Sequence, residues 1–166
     1  MLAISLIIFG ILLRFMPHAA NFTPVAAIAL FSGAYLKRKY AIIVPLVLMA
    51  VSDLFIGMHN VLIFTWGSFI LASLLGTAIR KNKSFSRVTG MSLLSSLVFF
   101  TITNFGVWAM GWYPPTLKGL INCYIMGLPF LRDFTVSTLV YSVLFFGAYE
   151  LIARRVKETK LAKVLL

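Results

Sequence analysis

Seven residues place a chemistry-bearing side chain inside or beside an apolar run: Arg14, Asn21, Asp53, Asn104, Trp108, Tyr113 and Arg132. Polar and charged groups in such surroundings are costly, so each is a candidate for pairing or for function. Asn21, Asp53 and Asn104 would fix a polar ligand by hydrogen bonds. Trp108 and Tyr113 would stack on a ring. Arg14 or Arg132 would offset Asp53 or hold an anionic group. Thr101, Asn104, Trp108 and Trp112 follow at spacings of three and four, on one helical face. Each residue also has a plainer reading. Asp53 pairs with Arg14 or Arg132, which does not exclude ligand contact. Asn104 is interhelical glue. Trp108, Trp112 and Tyr113 are interfacial anchors, with Trp108 the better pocket candidate because it shares the Asn104 face. Arg132 and Asp133 form a local pair, Asp133 being favoured by a helix N-terminus. His18 and His59 read as loop residues before metal ligands, and Cys123 as a small buried hydrophobe.

Other chemistries lack their residues. No G-x-x-x-x-G-K-[ST] loop is present, so the chain cannot power transport itself by ATP hydrolysis. No H-E-x-x-H, G-x-S-x-G or C-x-x-C occurs. Asp53 and Asp133 are the only acidic residues before Glu150, which argues against a dinuclear metal site. The expectation is a protein that is not an enzyme, with no cofactor and no metal.

The elements that must position these residues follow from composition. The 166 residues are 61% hydrophobic and 11% charged, against about 45–50% and about 25% for a soluble domain. Mean hydropathy is +0.99. One soluble domain cannot bury that much apolar surface, so the chain reads as an all-α integral membrane protein, a single transmembrane domain over residues 1–166. The net charge of +11 would suggest nucleic acid. Its distribution argues otherwise, because 12 of the 15 Lys and Arg fall in three clusters that each follow an apolar run: 37–39, 80–87 and 154–163. Basic clusters of that kind mark cytoplasmic loops.

Six apolar runs are expected as transmembrane helices, over 1–15, 23–36, 41–58, 61–79, 88–112 and 128–153, with a basic tail over 154–166 that could lie on an anionic leaflet. The runs lack period-2 alternation and are too long for barrel strands. The second run is short, rising about 21 Å against a ~30 Å hydrocarbon core. It begins with Thr23 as N-cap and Pro24 in the first turn. The first run has no basic n-region, which argues against a signal peptide. Six spans put the three basic clusters on one side, so both termini are expected to be cytoplasmic.

Depth then separates the polar residues. Asp53 lies about 18 Å and Asn104 about 24 Å above the inner ends of their runs, and Arg132 roughly 6–8 Å below the outer end of the sixth. Arg14, Asn21, His59 and Tyr113 fall on the same outer side. The pattern describes a polar, aromatic-walled cup above an apolar floor; a continuous channel would need polar lining at all depths. Asp53, Asn104 and Arg132 are expected to converge in it. Small residues recur at Ala29/Gly33 and at Ser68/Ala72/Gly76, seams that let helices approach closely or that meet a partner protein.

The strings RFMPHAANFTPVAAIALFSGAYL, SDLFIG (Ser52 to Gly57), TNFGVW (Thr103 to Trp108) and GLINCYIMGLPF (Gly119 to Phe130) resemble an uncharacterised family of small bacterial six-span inner-membrane proteins. That family is similar to the substrate-binding S components of energy-coupling factor (ECF) vitamin transporters in size, span count, a short second helix and an outward polar cup. The resemblance implies an S-component-like bundle that captures a micronutrient near the outer surface and docks on an ECF T component with two ATPases. The A-x-x-x-A docking motif of such first helices is missing here, where only Ala3, Ser5 and Gly10 stand. The Ala29/Gly33 or Ser68/Ala72/Gly76 seam would substitute. The leading expectation is a substrate-capture subunit or small transporter for a vitamin-like molecule, with the lipid bilayer as surroundings and no nucleic-acid partner. The rival is a non-catalytic scaffold or envelope assembly subunit, where polar groups are packing glue. An intramembrane enzyme has no recognisable catalytic constellation.

Overall fold

The computed structural model describes residues 2–16 and 21–156. Among the described residues the chain is helical, with six α-helices and no strand. They are α1 (Leu2–Phe15), α2 (Val25–Tyr35), α3 (Arg38–Ile56), α4 (Leu62–Thr77), α5 (Phe85–Val107) and α6 (Leu117–Val156). A π-helical turn, Trp108–Trp112, follows α5. Three helices are long and apolar enough to cross a membrane: α3, the stretch Phe85–Trp112, and α6 over Leu117–Arg155. The apolar helices α1, α2 and α4 are shorter, at 14, 11 and 16 residues. His18 and the tail beyond residue 156 lie outside the described residues.

Helix α2 is the axis of the molecule. Every residue from Val25 to Ala34 is buried. A helix that is apolar all round must be enclosed all round, and α2 packs on α3, α4 and α6, with lesser contacts to α1 and α5. Its tightest neighbour is α4. A Cβ placed on Gly33 would collide with the Ser73 carbonyl and the Gly76 backbone, and one on Gly76 would collide with Leu30. The two small-residue seams therefore close on each other. Ala29, Gly33, Ser68, Ala72 and Gly76 are all buried within the bundle. Of the two readings of these seams, close approach of helices is the one they serve in the bundle.

Arg80 closes the far end of α2. Its Nε donates to the Gly33 carbonyl at 2.7 Å and its Nη2 to the Leu36 carbonyl. A helix C-terminus leaves carbonyls without partners and carries partial negative charge, which a guanidinium satisfies on both counts. Nearby, Lys83 stands 5.0 Å over the Tyr35 ring, whose hydroxyl donates to Glu150. Arg80 and Lys83 of the second basic cluster thus meet Tyr35 and Glu150 at one end of the bundle.

Helices α5 and α6 run antiparallel. Phe99 and Phe134 stack at 4.0 Å between ring centres, and the Tyr124 hydroxyl donates to the Thr101 carbonyl at 2.7 Å. Serines 92, 95 and 96 of α5 and Ser137, Thr138 and Ser142 of α6 are buried along this pair of helices, small side chains that allow close approach.

Two expected boundaries differ. The sixth helix begins at Leu117, not at 128. Gly119, Cys123 and Gly127 recur every four residues as its buried stripe. The helix continues through Pro129. Asn122 and Tyr124, which fall between the fifth and sixth expected runs, are helical. Arg132 then lies about 22 Å along α6 from its first residue, not near its start. Thr23 is also not the cap of α2. Pro24 holds that position, its carbonyl accepting the first helical bond from Ile28 at 2.9 Å. The Thr23 hydroxyl is left without a hydrogen-bond partner.

Candidate functional site

Above α2, on the side away from Arg80, lies a cavity of about 420 Å³. Ligand sites typically occupy about 300–1,000 Å³. One side is built from Arg14 at the end of α1, Asn21 and Thr23 before α2, and Met49 of α3. Across from it stand Thr103, Asn104 and Val107 of α5 with Cys123, Met126 and Phe130 of α6. His59, Thr65 and Tyr113 contribute from the α3–α4 connection, α4 and the segment after the π turn. Phe69 and Phe99 line the cavity too, among core aromatic rings.

Arg14 is where the cavity meets a buried charge. Its Nη1 lies 2.9 Å from Oδ1 of Asp53 and donates to Ser52 Oγ at 2.6 Å and to Met49 Sδ at 2.9 Å. The second oxygen of Asp53 accepts from Trp66 Nε1 at 2.9 Å. Asp53 is 1% exposed. A carboxylate so buried needs both a counter-charge and further donors, and these two partners supply them. Among the described residues this is the one ion pair. Asp53 is therefore behind the cavity, holding the arginine that lines it.

Asn21 takes a left-handed backbone, φ 61°. Asparagine tolerates this region better than most residues. Asn104 donates from Nδ2 to the Phe100 carbonyl at 2.8 Å. That bond fixes which end of the amide is which, because only nitrogen can donate to a carbonyl. Oδ1 then points toward α6, where a Cβ on Gly127 would collide with it and where Cys123 Sγ stands 4.0 Å away. Thr65 and Thr103 donate their protons to the carbonyls of Val61 and Phe99, at 3.1 and 2.8 Å. Two buried polar atoms on cavity residues have no partner: Thr23 Oγ1 and His59 Nδ1. Buried polar atoms are rarely left so.

Arg14, Asn21, Asn104 and Tyr113 thus line the cavity, and Trp108 and Arg132 do not. Trp108 keeps its helical place four residues after Asn104, its N–H reaching the Asn104 carbonyl. The π turn breaks the spacing only beyond it, toward Trp112, where Gly111 takes φ 83°. Trp108 Nε1 instead donates to the Pro114 carbonyl at 3.0 Å, tying the turn to the segment after it. Trp112 is 67% exposed, so the four residues expected on one face are separated. Arg132 is exposed on α6, and the expected convergence of Asp53, Asn104 and Arg132 is corrected accordingly. Its helix starts eleven positions earlier than expected, which removes the depth argument that placed it in the cup. No Arg132–Asp133 ion pair forms, since adjacent residues on a helix do not face each other. Thr23, Thr65, Thr103 and Met126 were not foreseen. The i, i+4 pair Thr65 and Phe69 is the signal that could have found one wall.

The family of unknown function DUF6580 matches residues 1–161. The chain belongs to that family. No curated protein matches it. No solved structure matches it.

Proposed function

We propose that this protein is a membrane substrate-capture subunit, or a small solitary transporter, for a micronutrient of vitamin-like size. The observation that carries the reading is the cavity of about 420 Å³ where Arg14, Asn21, Asn104 and Tyr113 stand beside Phe69 and Phe99. Polar side chains set among aromatic walls in a cavity of this size suit a bound polar ring. A packing scaffold would gain stability by replacing them with apolar groups.

In this reading the chain crosses the membrane six times, with both termini cytoplasmic, in a bacterial inner membrane. It is not an enzyme and binds no nucleic acid. The cavity faces outward, because Arg80 and Lys83, which belong to a basic cluster, mark the opposite end of α2. The resemblance to S components further suggests docking on an ECF T component with ATPases. With both seams buried, that docking would use another face.

Native mass spectrometry of the detergent-purified protein tests the proposal. A retained small molecule is the expected result. A stable protein partner with no small molecule would favour the scaffold reading and overturn this one.

A further inference from the structure

The cavity's charge and hydrogen-bonding character narrow what it could take. Of its wall residues only Arg14 carries a full charge, and Asp53 matches that charge from behind at 2.9 Å. The cavity therefore has no net charge to offer an ion. The wall made by α4 and α5 is rich in acceptors. Thr65 and Thr103 have committed their protons to backbone carbonyls. Asn104 has committed Nδ2 in the same way, and its Oδ1 lies toward α6, against Gly127 and 4.0 Å from the Cys123 thiol. What these three present inward is lone pairs. Phe69, Phe99 and Phe130 supply apolar ring contacts around them.

Resting on the capture reading above, we infer that the cavity selects an uncharged ring molecule bearing N–H or O–H donors, an amide or amine heterocycle, and rejects the corresponding carboxylate. A donor edge would meet acceptors with no competing proton at Thr65, Thr103 and Asn104. A carboxylate would meet their lone pairs with its own, and it would lose its hydration in a site whose one cation is already neutralised. The same geometry makes Asp53 the residue that sets the selection. It touches no ligand; it positions Arg14 and cancels its charge.

The test uses matched acid and amide pairs at neutral pH: indole-3-acetamide with indole-3-acetate, and nicotinamide with nicotinate. Binding to the full-length protein in detergent is followed by thermal shift and calorimetry. The charge of any molecule retained on purification is read by native mass spectrometry. The amides should bind at least roughly tenfold tighter than their acids, a difference of about 1.4 kcal/mol. In Asp53→Asn, where Arg14 has lost its counter-charge, the order should reverse for both pairs. A variant that merely damaged the fold would weaken acid and amide alike. If Asp53→Asn does not fold, the acid-to-amide ratio on the unmodified protein decides. Acids binding as well as amides there, or a retained molecule that is an acid, would overturn the inference while leaving the capture reading in place. No binding by any probe together with no retained molecule would overturn both.

Discussion

At the scale of single residues, the molecule is governed by how it handles charge away from water. Asp53 lies at 1% exposure between Arg14 and Trp66. Removing one partner of a buried pair strands the other, at about 3–5 kcal/mol. Asp53→Leu should therefore lower stability by that amount, while Arg14→Met combined with Asp53→Leu should recover most of the loss. A double-mutant cycle on thermal unfolding in detergent measures the coupling, and simply additive losses would show that the two charges do not depend on each other. Asn104 should behave differently. Its Nδ2 bond goes to its own helix, so Asn104→Leu should leave stability nearly unchanged. On the capture proposal it should weaken ligand affinity by about 5- to 150-fold, corresponding to a lost hydrogen bond of about 1–3 kcal/mol. Calorimetry and thermal unfolding on one preparation check both halves. Lost stability with unchanged affinity would return Asn104 to packing.

At the scale of elements, the decisive contact is the one between α2 and α4. Gly33→Ala would drive a Cβ into the Ser73 carbonyl and the Gly76 backbone. Neither is a flexible side chain that could swing aside, so the helices must separate, at about 1–3 kcal/mol. Gly67→Ala is the control, because nothing stands within 4 Å of a Cβ there; it should be neutral or stabilising by up to about 1 kcal/mol. Thermal unfolding of the two variants side by side checks the contrast. Much of this level was legible in advance. The apolar runs around α1 to α5 mark helices, and the two seams mark close approach, because hydropathy and small-residue spacing are local properties. The start of α6 was not. Lys118 and Asn122 interrupt its hydropathy, while its buried stripe is made of Gly119, Cys123 and Gly127, residues that pack well but carry little apolar signal. The cavity was legible where it depends on residue type, at Arg14, Asn21, Asn104 and Tyr113. It was not where it depends on side-chain direction or helical phase. Trp108 keeps its helical phase but its indole turns to the Pro114 carbonyl, and the π turn carries Trp112 out to the surface.

At the scale of the whole molecule, orientation is the property that function depends on most. Tyr35, Arg80, Lys83 and Glu150 meet at one end of the bundle, and the cavity lies beyond the other end of α2. Basic segments are retained on the cytoplasmic side, so reporter fusions at Arg38, at Arg87 and at the C-terminus should all read cytoplasmic. An external signal at any of them would invert the proposed direction of capture. The enclosure of α2 also has a consequence for how the protein is made. Synthesis delivers α2 second, yet α3, α4 and α6, which wall it in, are all made later. At 11 residues it rises only about 16 Å, too short to cross a bilayer on its own. The nascent chain must therefore hold the helix that ends most fully buried without a finished home until α6 has left the ribosome. Ribosome-bound chains ending before Leu117 should expose Phe31 and its neighbours to chaperones and quality-control proteases, and release of the last forty residues of helix should end that exposure in one step.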